Sequence, residues 1–192
     1  MATASTMLDL GSPLPAFRLR DLNGKVVTSN DFAGSKGVLV VFICPHCPYV
    51  RHIRTGLARQ ASDFQSRGLA VIGINSNDTV TFPEDDPDGM KEEVREAGYT
   101  FPYLFDDTQD VAKAFRAACT PDFFLFDGRQ RLVYRGQFDD SRPNSQTPVT
   151  GKALKAAVDA LLAGQEIAPD QRPSLGCNIK WKKGAEPEYY AG

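Results

Sequence analysis

The chain has 192 residues, of which 42% are hydrophobic and 24% charged, and its formal net charge is −2. This length suffices for one domain with a sizeable core, and the balanced charges argue against a nucleic-acid partner. No apolar stretch approaches the roughly 20 residues needed to span a bilayer. Met1 to Pro15 lacks the basic start and apolar centre of a secretory signal. We therefore expect a cytoplasmic protein with no membrane partner.

The first predicted elements are two short strands, Ala16 to Arg20 and Lys25 to Thr28. Between them, Asn23-Gly24 is a strong signal for a type I′ hairpin turn. Gly37 to Ile43 is a continuous apolar run rich in Val, as expected of a central strand covered on both faces. Apolar residues then recur at helical spacing from Pro48 to about Gly68.

The later elements alternate between strand and helix. In chain order they are a strand at Leu69 to Ile74, a helix at Asp88 to Ala97, a strand at Tyr103 to Phe105, a helix at Asp110 to Ala117, strands at Asp122 to Phe126 and Arg131 to Tyr134, and a helix at Thr150 to Leu162 with Thr150 as N-cap. This order predicts an α/β fold, a mixed central sheet flanked by helices with an N-terminal β-hairpin extension. We expect a domain over residues 1–165 and a tail, residues 166–192, that packs on it or frays.

Cys44-Pro45-His46-Cys47 joins the apolar strand to the helix that follows. A Cys-x-x-Cys at such a junction is typical of a redox dithiol, because one-turn spacing lets the two sulfur atoms form a disulfide. The positive end of the helix stabilises a thiolate on Cys44. We therefore expect Cys44 to be the nucleophile and Cys47 the resolving thiol, with no cofactor. A protonated His46 would favour the thiolate and make the disulfide more oxidising.

A metal site is the main alternative for this motif. Together with His52 it offers four ligands within nine residues, and a Cys-x-x-Cys is half a zinc site. Cys119 and Cys177 would have to complete that site, and since there is no second Cys-x-x-Cys we assign no metal. The acidic run from Pro83 to Gly89 lacks the spacing of a calcium loop. We expect it to be a solvated loop that caps the helix after Asp88.

Thr120-Pro121 opens the strand that begins at Asp122, and with the dithiol motif it resembles the thioredoxin fold. In that fold a cis-proline at this place lies against the dithiol, and its flanking backbone pairs with the substrate. The resemblance therefore implies that Pro45, Thr120 and Pro121 bind substrate. Further stretches resemble the cytoplasmic peroxiredoxin-like thioredoxin-family proteins of bacteria, a branch related to AhpC/TSA proteins and to membrane-tethered thiol-disulfide reductases: Phe42 to Val50, Ile74 to Asp78, Ala118 to Phe126, Asp139 to Pro143 and Gly176 to Trp181.

The chain also departs from those families. Thioredoxins carry Trp at the position of Ile43 and a buried acid at that of Val38; without the acid, His46 or a water must take the proton of the second thiol. Peroxiredoxins place Thr at the position of Val41 and Pro at that of Gly37. An aliphatic side chain at 41 cannot donate a hydrogen bond to peroxide.

The resemblance implies a thiol-disulfide oxidoreductase, a monomer or weak dimer, which acts on protein or small-molecule disulfides with a thioredoxin- or glutathione-type reductant. Two alternatives stay open: a peroxiredoxin-like thiol peroxidase with Cys44 peroxidatic, and a metal- or client-binding module using the same cleft. Cys119, near the dithiol, and Cys177, on the tail, are candidate accessory thiols, although an inert thiol is the simpler interpretation of each.

Overall fold

The computed structural model describes residues 2–190, which form ten strands and four α-helices. The strands are β1 (Ala2–Ala4), β2 (Arg18–Asp21), β3 (Val26–Thr28), β4 (Gly37–Phe42), β5 (Ala70–Asn75), β6 (Tyr103–Phe105), β7 (Cys119–Thr120), β8 (Asp122–Asp127), β9 (Leu132–Gly136) and β10 (Leu175–Asn178). The helices are α1 (Pro48–Ser66), α2 (Pro87–Ala97), α3 (Asp110–Ala114) and α4 (Lys152–Leu162). Within these residues, no helix is both long enough and apolar enough to cross a membrane.

Seven strands form a mixed central sheet in the order β3-β2-β6-β5-β4-β8-β9. The central strand β4 runs parallel to β5 and antiparallel to β8. The β2–β3 hairpin extends this sheet by pairing with β6. The mixed sheet and the N-terminal hairpin extension are therefore present as predicted.

The side chains of β4 alternate between two apolar cores on opposite faces of the sheet. Leu39 and Val41 belong to the core that also contains apolar residues of α1, α2 and α4. Val38 and Val40 belong to the other core, with residues of α3 and of the C-terminal segment. Burial on both faces explains why this strand is apolar throughout rather than alternating, and each fully buried aliphatic side chain contributes about 1.5–3 kcal/mol to stability.

The β2–β3 turn is not the predicted type I′ turn, which requires a positive φ at both central residues. Gly24 has a φ of +81°, whereas Asn23 has none in the positive range. The Gly24 N–H donates to the Asp21 carbonyl (3.0 Å), and the Asp21 N–H donates to the Lys25 carbonyl (2.9 Å). The Asp21 side chain accepts from the N–H groups of Asn23 and Lys25, which stabilises this longer turn.

The N-terminus of α4 also differs from the prediction, because Gly151 is the N-cap instead of Thr150. The N–H groups of both residues donate to the Asp139 carboxylate at 2.6 Å. Gly151 has a φ of +62°, and an added Cβ would lie 2.2 Å from the Gln60 side chain. Glycine is therefore required where the chain turns into the helix.

The C-terminal segment forms a strand and does not fray over residues 175–178. β10 is the middle strand of a second sheet with the order β1-β10-β7. Cys177 lies opposite Thr120 in this ladder, and Asn178 lies opposite Cys119. The sequence did not predict this sheet, because strands of two to four residues leave too short a pattern to recognise.

Candidate active site

Both cysteines of the dithiol motif lie against Thr120. Cys44 follows the end of β4, and Cys47 is the N-cap of α1, whose first residue is a proline. The Cys44 sulfur is 3.4 Å from the Thr120 hydroxyl, and the Cys47 thiol donates to the Thr120 carbonyl at 3.1 Å. The Thr120–Pro121 peptide bond is cis. Four sequence-predicted site residues therefore meet where β4, α1 and β7 converge.

Burial opposes the Cys44 thiolate that the helix N-terminus was expected to stabilise. Cys44 is fully buried, and this raises the pKa of its thiol well above the ordinary value, with smaller contributions from Cys47 and Asp85. Hydrogen bonds from Cys177 and Cys44 lower the pKa of Cys47, although burial of this thiol opposes the effect.

His46 forms an ion pair with Asp85. The His46 backbone N–H donates to Asp85 Oδ1 at 3.0 Å, and the ring nitrogen Nδ1 contacts Asp85 Oδ2. The hydrogen bond from this carboxylate raises the pKa of His46. The ring stacks on Phe82 with centroids 5.5 Å apart. The positive charge of His46 is therefore partly neutralised by the Asp85 carboxylate, so it does not act on Cys44 alone.

Asp85 is the main site residue that sequence reasoning missed. It was expected in a solvated loop, but it is fully buried at the end of a 3₁₀ turn, Pro83–Asp85. Asn77 donates to its Oδ2 and Asn75 donates to its carbonyl oxygen, each at 2.7 Å. The sequence did contain a signal for a site in this region, because polar residues follow a buried parallel strand. The carboxyl ends of such strands form the sheet edge where binding sites usually lie.

Cys44, His46 and Asp85 form a compact group of reactive side chains. One ligand-type atom from each of the three lies within 4.8 Å of the other two. This set differs from the metal-ligand set that the sequence suggested, since Asp85 has entered it and the His52 ring is hydrogen-bonded to Ser141 at 3.0 Å. The arrangement places an imidazole and a carboxylate beside a buried thiol.

A second buried acid lies behind the site on α2. Glu93 accepts hydrogen bonds from the hydroxyls of Tyr99 (3.3 Å) and Tyr103 (3.0 Å), and burial raises its pKa to about 7. The Tyr103 hydroxyl also lies 3.1 Å from the carbonyl oxygen of Ile43. This network fixes the backbone just before Cys44.

The remaining predicted residues occupy distinct environments. Pro45 is buried, and its carbonyl accepts from the Arg51 side chain at 2.8 Å. Cys119 is fully buried, its thiol lies 3.6 Å from the Pro121 carbonyl, and burial raises its pKa well above the ordinary value. These surroundings favour an inert thiol at Cys119.

The backbone predicted to receive a substrate is already paired within the chain. β7, which ends at Thr120, forms its ladder with β10. Cys177 therefore lies on a fixed strand instead of a mobile tail, and it is partly exposed. Substrate pairing at β7 requires that β10 moves away.

These features, a buried strand leading through a dithiol into a helix and facing a cis-proline, define a protein of the thioredoxin fold. The thioredoxin domain of a thiol-disulfide oxidoreductase from Bacteroides vulgatus has this fold and superimposes with a TM-score of 0.60. It is 23% identical and covers 79% of this chain and 99% of that chain. The predicted fold class is therefore confirmed.

The family is shown by residues 10–135, which match the AhpC/TSA family, and the chain belongs to that family. A Mycobacterium tuberculosis protein provisionally named a peroxiredoxin is 28% identical over 60% of this chain and 68% of its own length. Thiol-disulfide oxidoreductase ResA of Geobacillus thermodenitrificans is 26% identical over 70% of this chain and 74% of its own length. A solved structure of a conserved protein from Geobacillus kaustophilus is 49% identical, has a TM-score of 0.93, and covers 96% of this chain and 98% of that chain.

Proposed function

We propose that this protein is a thiol-disulfide oxidoreductase in which Cys44 is the nucleophile and Cys47 the resolving thiol. The observation that carries the proposal is the convergence of both sulfur atoms on Thr120, at 3.4 and 3.1 Å, beside the cis-proline. Names of related proteins agree with redox chemistry at thiols. The chemistry needs no cofactor, because a dithiol holds both electrons.

The reaction follows from the positions of the two sulfur atoms. The Cys44 thiolate attacks a substrate disulfide and forms a mixed disulfide, and one substrate thiolate leaves. Cys47 then attacks the Cys44 sulfur, which releases the second substrate thiol and leaves a Cys44–Cys47 disulfide. Since Cys44 is fully buried, the groups covering it must move before a substrate reaches the sulfur.

We assign His46 and Asp85 to the activation of Cys44. Burial disfavours the Cys44 thiolate, so the Asp85 carboxylate must accept the thiol proton as the substrate binds, while the charged His46 ring stabilises the thiolate that forms. The imidazole–carboxylate pair lies within 4.8 Å of that sulfur. Asp85 thus supplies, from a different element of the fold, the buried acid that thioredoxins carry at the position of Val38.

Substrate and direction follow from the same proposal. We propose protein or small-molecule disulfides as substrates, bound by Pro45, Thr120 and Pro121, and a thioredoxin- or glutathione-type reductant that returns the electrons. In the cytoplasmic location that we propose, the reducing poise favours reduction of client disulfides.

Two variants test the function directly. Cys44→Ser should abolish reduction of a model protein disulfide, whereas Cys47→Ser should retain the first step and accumulate a mixed disulfide at Cys44. Trapping followed by mass mapping distinguishes them. Equal activity in Cys44→Ser and the unsubstituted protein would contradict the proposal.

Peroxide reduction is a second candidate, favoured by one observation. Val41 cannot donate a hydrogen bond to peroxide, but the Thr120 hydroxyl lies 3.4 Å from the Cys44 sulfur and offers one from another element. A Thr120→Val variant that loses peroxide reduction but keeps disulfide reduction would support this activity. A protein that consumes no hydrogen peroxide would refute it.

Cation or client binding in the same cleft is the third candidate, supported by the Cys44, His46 and Asp85 group. We expect no bound zinc, because His46 and Asp85 already satisfy each other. Native mass spectrometry of the purified protein would detect one zinc ion if this expectation is wrong.

A further inference from the structure

The four cysteines differ in their access to solvent. Cys44, Cys47 and Cys119 are each fully buried, whereas Cys177 is partly exposed. A thiolate or disulfide of another molecule can therefore reach Cys177 without any movement of the dithiol. In this conformation, Cys177 on β10 is the cysteine that a thiol of another molecule can reduce or modify most directly.

β10 occupies the place that the fold gives to a bound substrate strand. It pairs antiparallel with β7, and Cys177 lies directly opposite Thr120. A Cβ added to Gly176 would lie 2.0 Å from the Thr120 carbonyl oxygen, so glycine is what permits this close approach. The chain thus holds a cysteine of its own beside the dithiol, where a substrate cysteine would lie.

Cys47 and Cys177 both lie at Thr120. The Cys47 thiol donates to the Thr120 carbonyl at 3.1 Å, and Cys177 lies opposite Thr120 in the β7–β10 ladder. Cys177 also packs against the core that contains the two motif cysteines. The partly exposed thiol and both motif thiols are therefore gathered around the same residue, Thr120.

We propose that Cys177 is a third redox-active thiol that exchanges with Cys47 and passes electrons from an external dithiol to the Cys44–Cys47 pair. This inference rests on the proposed function, because it uses the Cys44–Cys47 disulfide that substrate reduction leaves behind.

The exchange step balances without any further oxidant. The Cys177 thiolate attacks the Cys47 sulfur, a Cys47–Cys177 bond forms, and the Cys44–Cys47 bond breaks. The electron pair leaves on Cys44, which takes up the proton that Cys177 lost. An external thiolate then attacks the sulfur of the partly exposed Cys177, and Cys47 leaves. The second thiol of the external dithiol resolves the mixed disulfide, so the protein is reduced and the dithiol oxidised.

The decisive experiment uses the full-length Cys44→Ser variant, treated with oxidised glutathione, alkylated and mapped by mass spectrometry. Glutathione should first modify the exposed Cys177, after which Cys47 displaces it, so a Cys47–Cys177 disulfide should be the main product. Adding Cys119→Ser to this variant is the matched control, since it removes a neighbouring buried thiol but neither bonded partner. The disulfide should persist in the control.

Glutathione that stays on Cys177, or a Cys47 that stays free, would overturn the relay while the unsubstituted protein still forms its Cys44–Cys47 bond. An unsubstituted protein with no Cys44–Cys47 bond would instead refute the proposed function, so the two failures are distinguishable.

A kinetic measurement covers the case in which Cys44→Ser does not fold. In the Cys177→Ser variant, reduction of the Cys44–Cys47 disulfide by a protein dithiol should slow at least about tenfold, because the exposed entry thiol is lost. Reduction by dithiothreitol, which is small enough to enter a closed site, should slow by no more than about threefold. Unchanged rates with both reductants would also overturn the proposal.

Discussion

Asp85 is a buried acid beside the dithiol motif. It comes from a loop 39 positions after His46, yet it is fully buried and contacts that residue through both carboxylate oxygens. Asn77 holds the carboxylate in place. The charge on this side chain therefore sets the protonation of His46 and acts on the Cys44 thiol.

Replacing Asp85 by Asn should slow disulfide reduction at pH 7 by about 100-fold, the usual range for loss of a general base. The pKa of His46 should fall towards its ordinary value of about 6.5, because the carboxylate is the main cause of its rise. Steady-state kinetics and an NMR titration of the imidazole measure the two effects. Glu84→Gln, which alters the adjacent exposed carboxylate, should change the rate by less than about twofold. Similar rates in both variants would exclude this role.

The dithiol and Thr120-Pro121 could be predicted because each is a local motif whose place in the chain order is fixed by the fold. The pairing of His46 with Asp85 could not, because it depends on how the loop before α2 folds against the end of β5. The acidic residues around Asp85 are otherwise typical of solvated surface, and no periodicity marks the one that turns inward. The raised pKa of Cys44 also could not be predicted, because it arises from burial, which appears only in the folded structure.

At the scale of elements, β10 closes the site with four residues. Its ladder to β7 and to β1 joins the C-terminal segment to the N-terminus and to the cis-proline. The long buried elements, β4, β5, β8 and α1, could be predicted from apolar runs and helical spacing. β1, β7 and β10 could not, because their pairing arises from tertiary contacts and leaves no sequence pattern.

Gly176→Ala should weaken this closure, because its Cβ would lie 2.0 Å from the Thr120 carbonyl oxygen. We expect a loss of about 1–3 kcal/mol in the free energy of unfolding, the usual cost of overpacking. Cys177 and Cys47 should react faster with iodoacetamide, since β10 is displaced. Denaturant titration and timed alkylation measure both effects.

Gly128→Ala is the matched control for this prediction. The nearest heavy atom to its added Cβ lies at 3.4 Å, an ordinary contact distance. Alkylation rates and unfolding free energies should stay close to those of the unsubstituted protein. If Gly176→Ala behaves in the same way, β10 does not pack as tightly on β7 as the structure indicates.

At the scale of the whole molecule, two buried carboxyl groups couple stability to pH. Burial raises the pKa values of Glu93 and Asp122 to about 7. The folded protein therefore keeps protons that the unfolded chain releases from about pH 4 upward. Stability should fall as pH rises from about 4 to 7, by about 3 kcal/mol for Glu93 and about 4 kcal/mol for Asp122.

Glu93→Gln should remove the Glu93 part of this dependence, because the amide has no proton to lose; its oxygen accepts from one tyrosine hydroxyl and its NH2 group donates to the other. Chemical denaturation at pH 5 and pH 8 compares the variant with the unsubstituted protein. Glu92→Gln, on the exposed face of the same helix, is the control and should leave the pH dependence unchanged. An identical pH dependence in all three proteins would show that Glu93 is ionised alike in the folded and unfolded states.

The measurement that tests the central claim most directly is a glutathione redox titration of the full chain, with alkylation and mass mapping of every cysteine. We predict a reversible two-electron transition in which Cys44 and Cys47 become linked. A reduction potential of about −270 mV would indicate a thioredoxin-like reductant, and a reduction potential of about −120 mV would indicate an oxidant. If Cys44 and Cys47 never form a bond with each other at any potential, the dithiol mechanism is wrong.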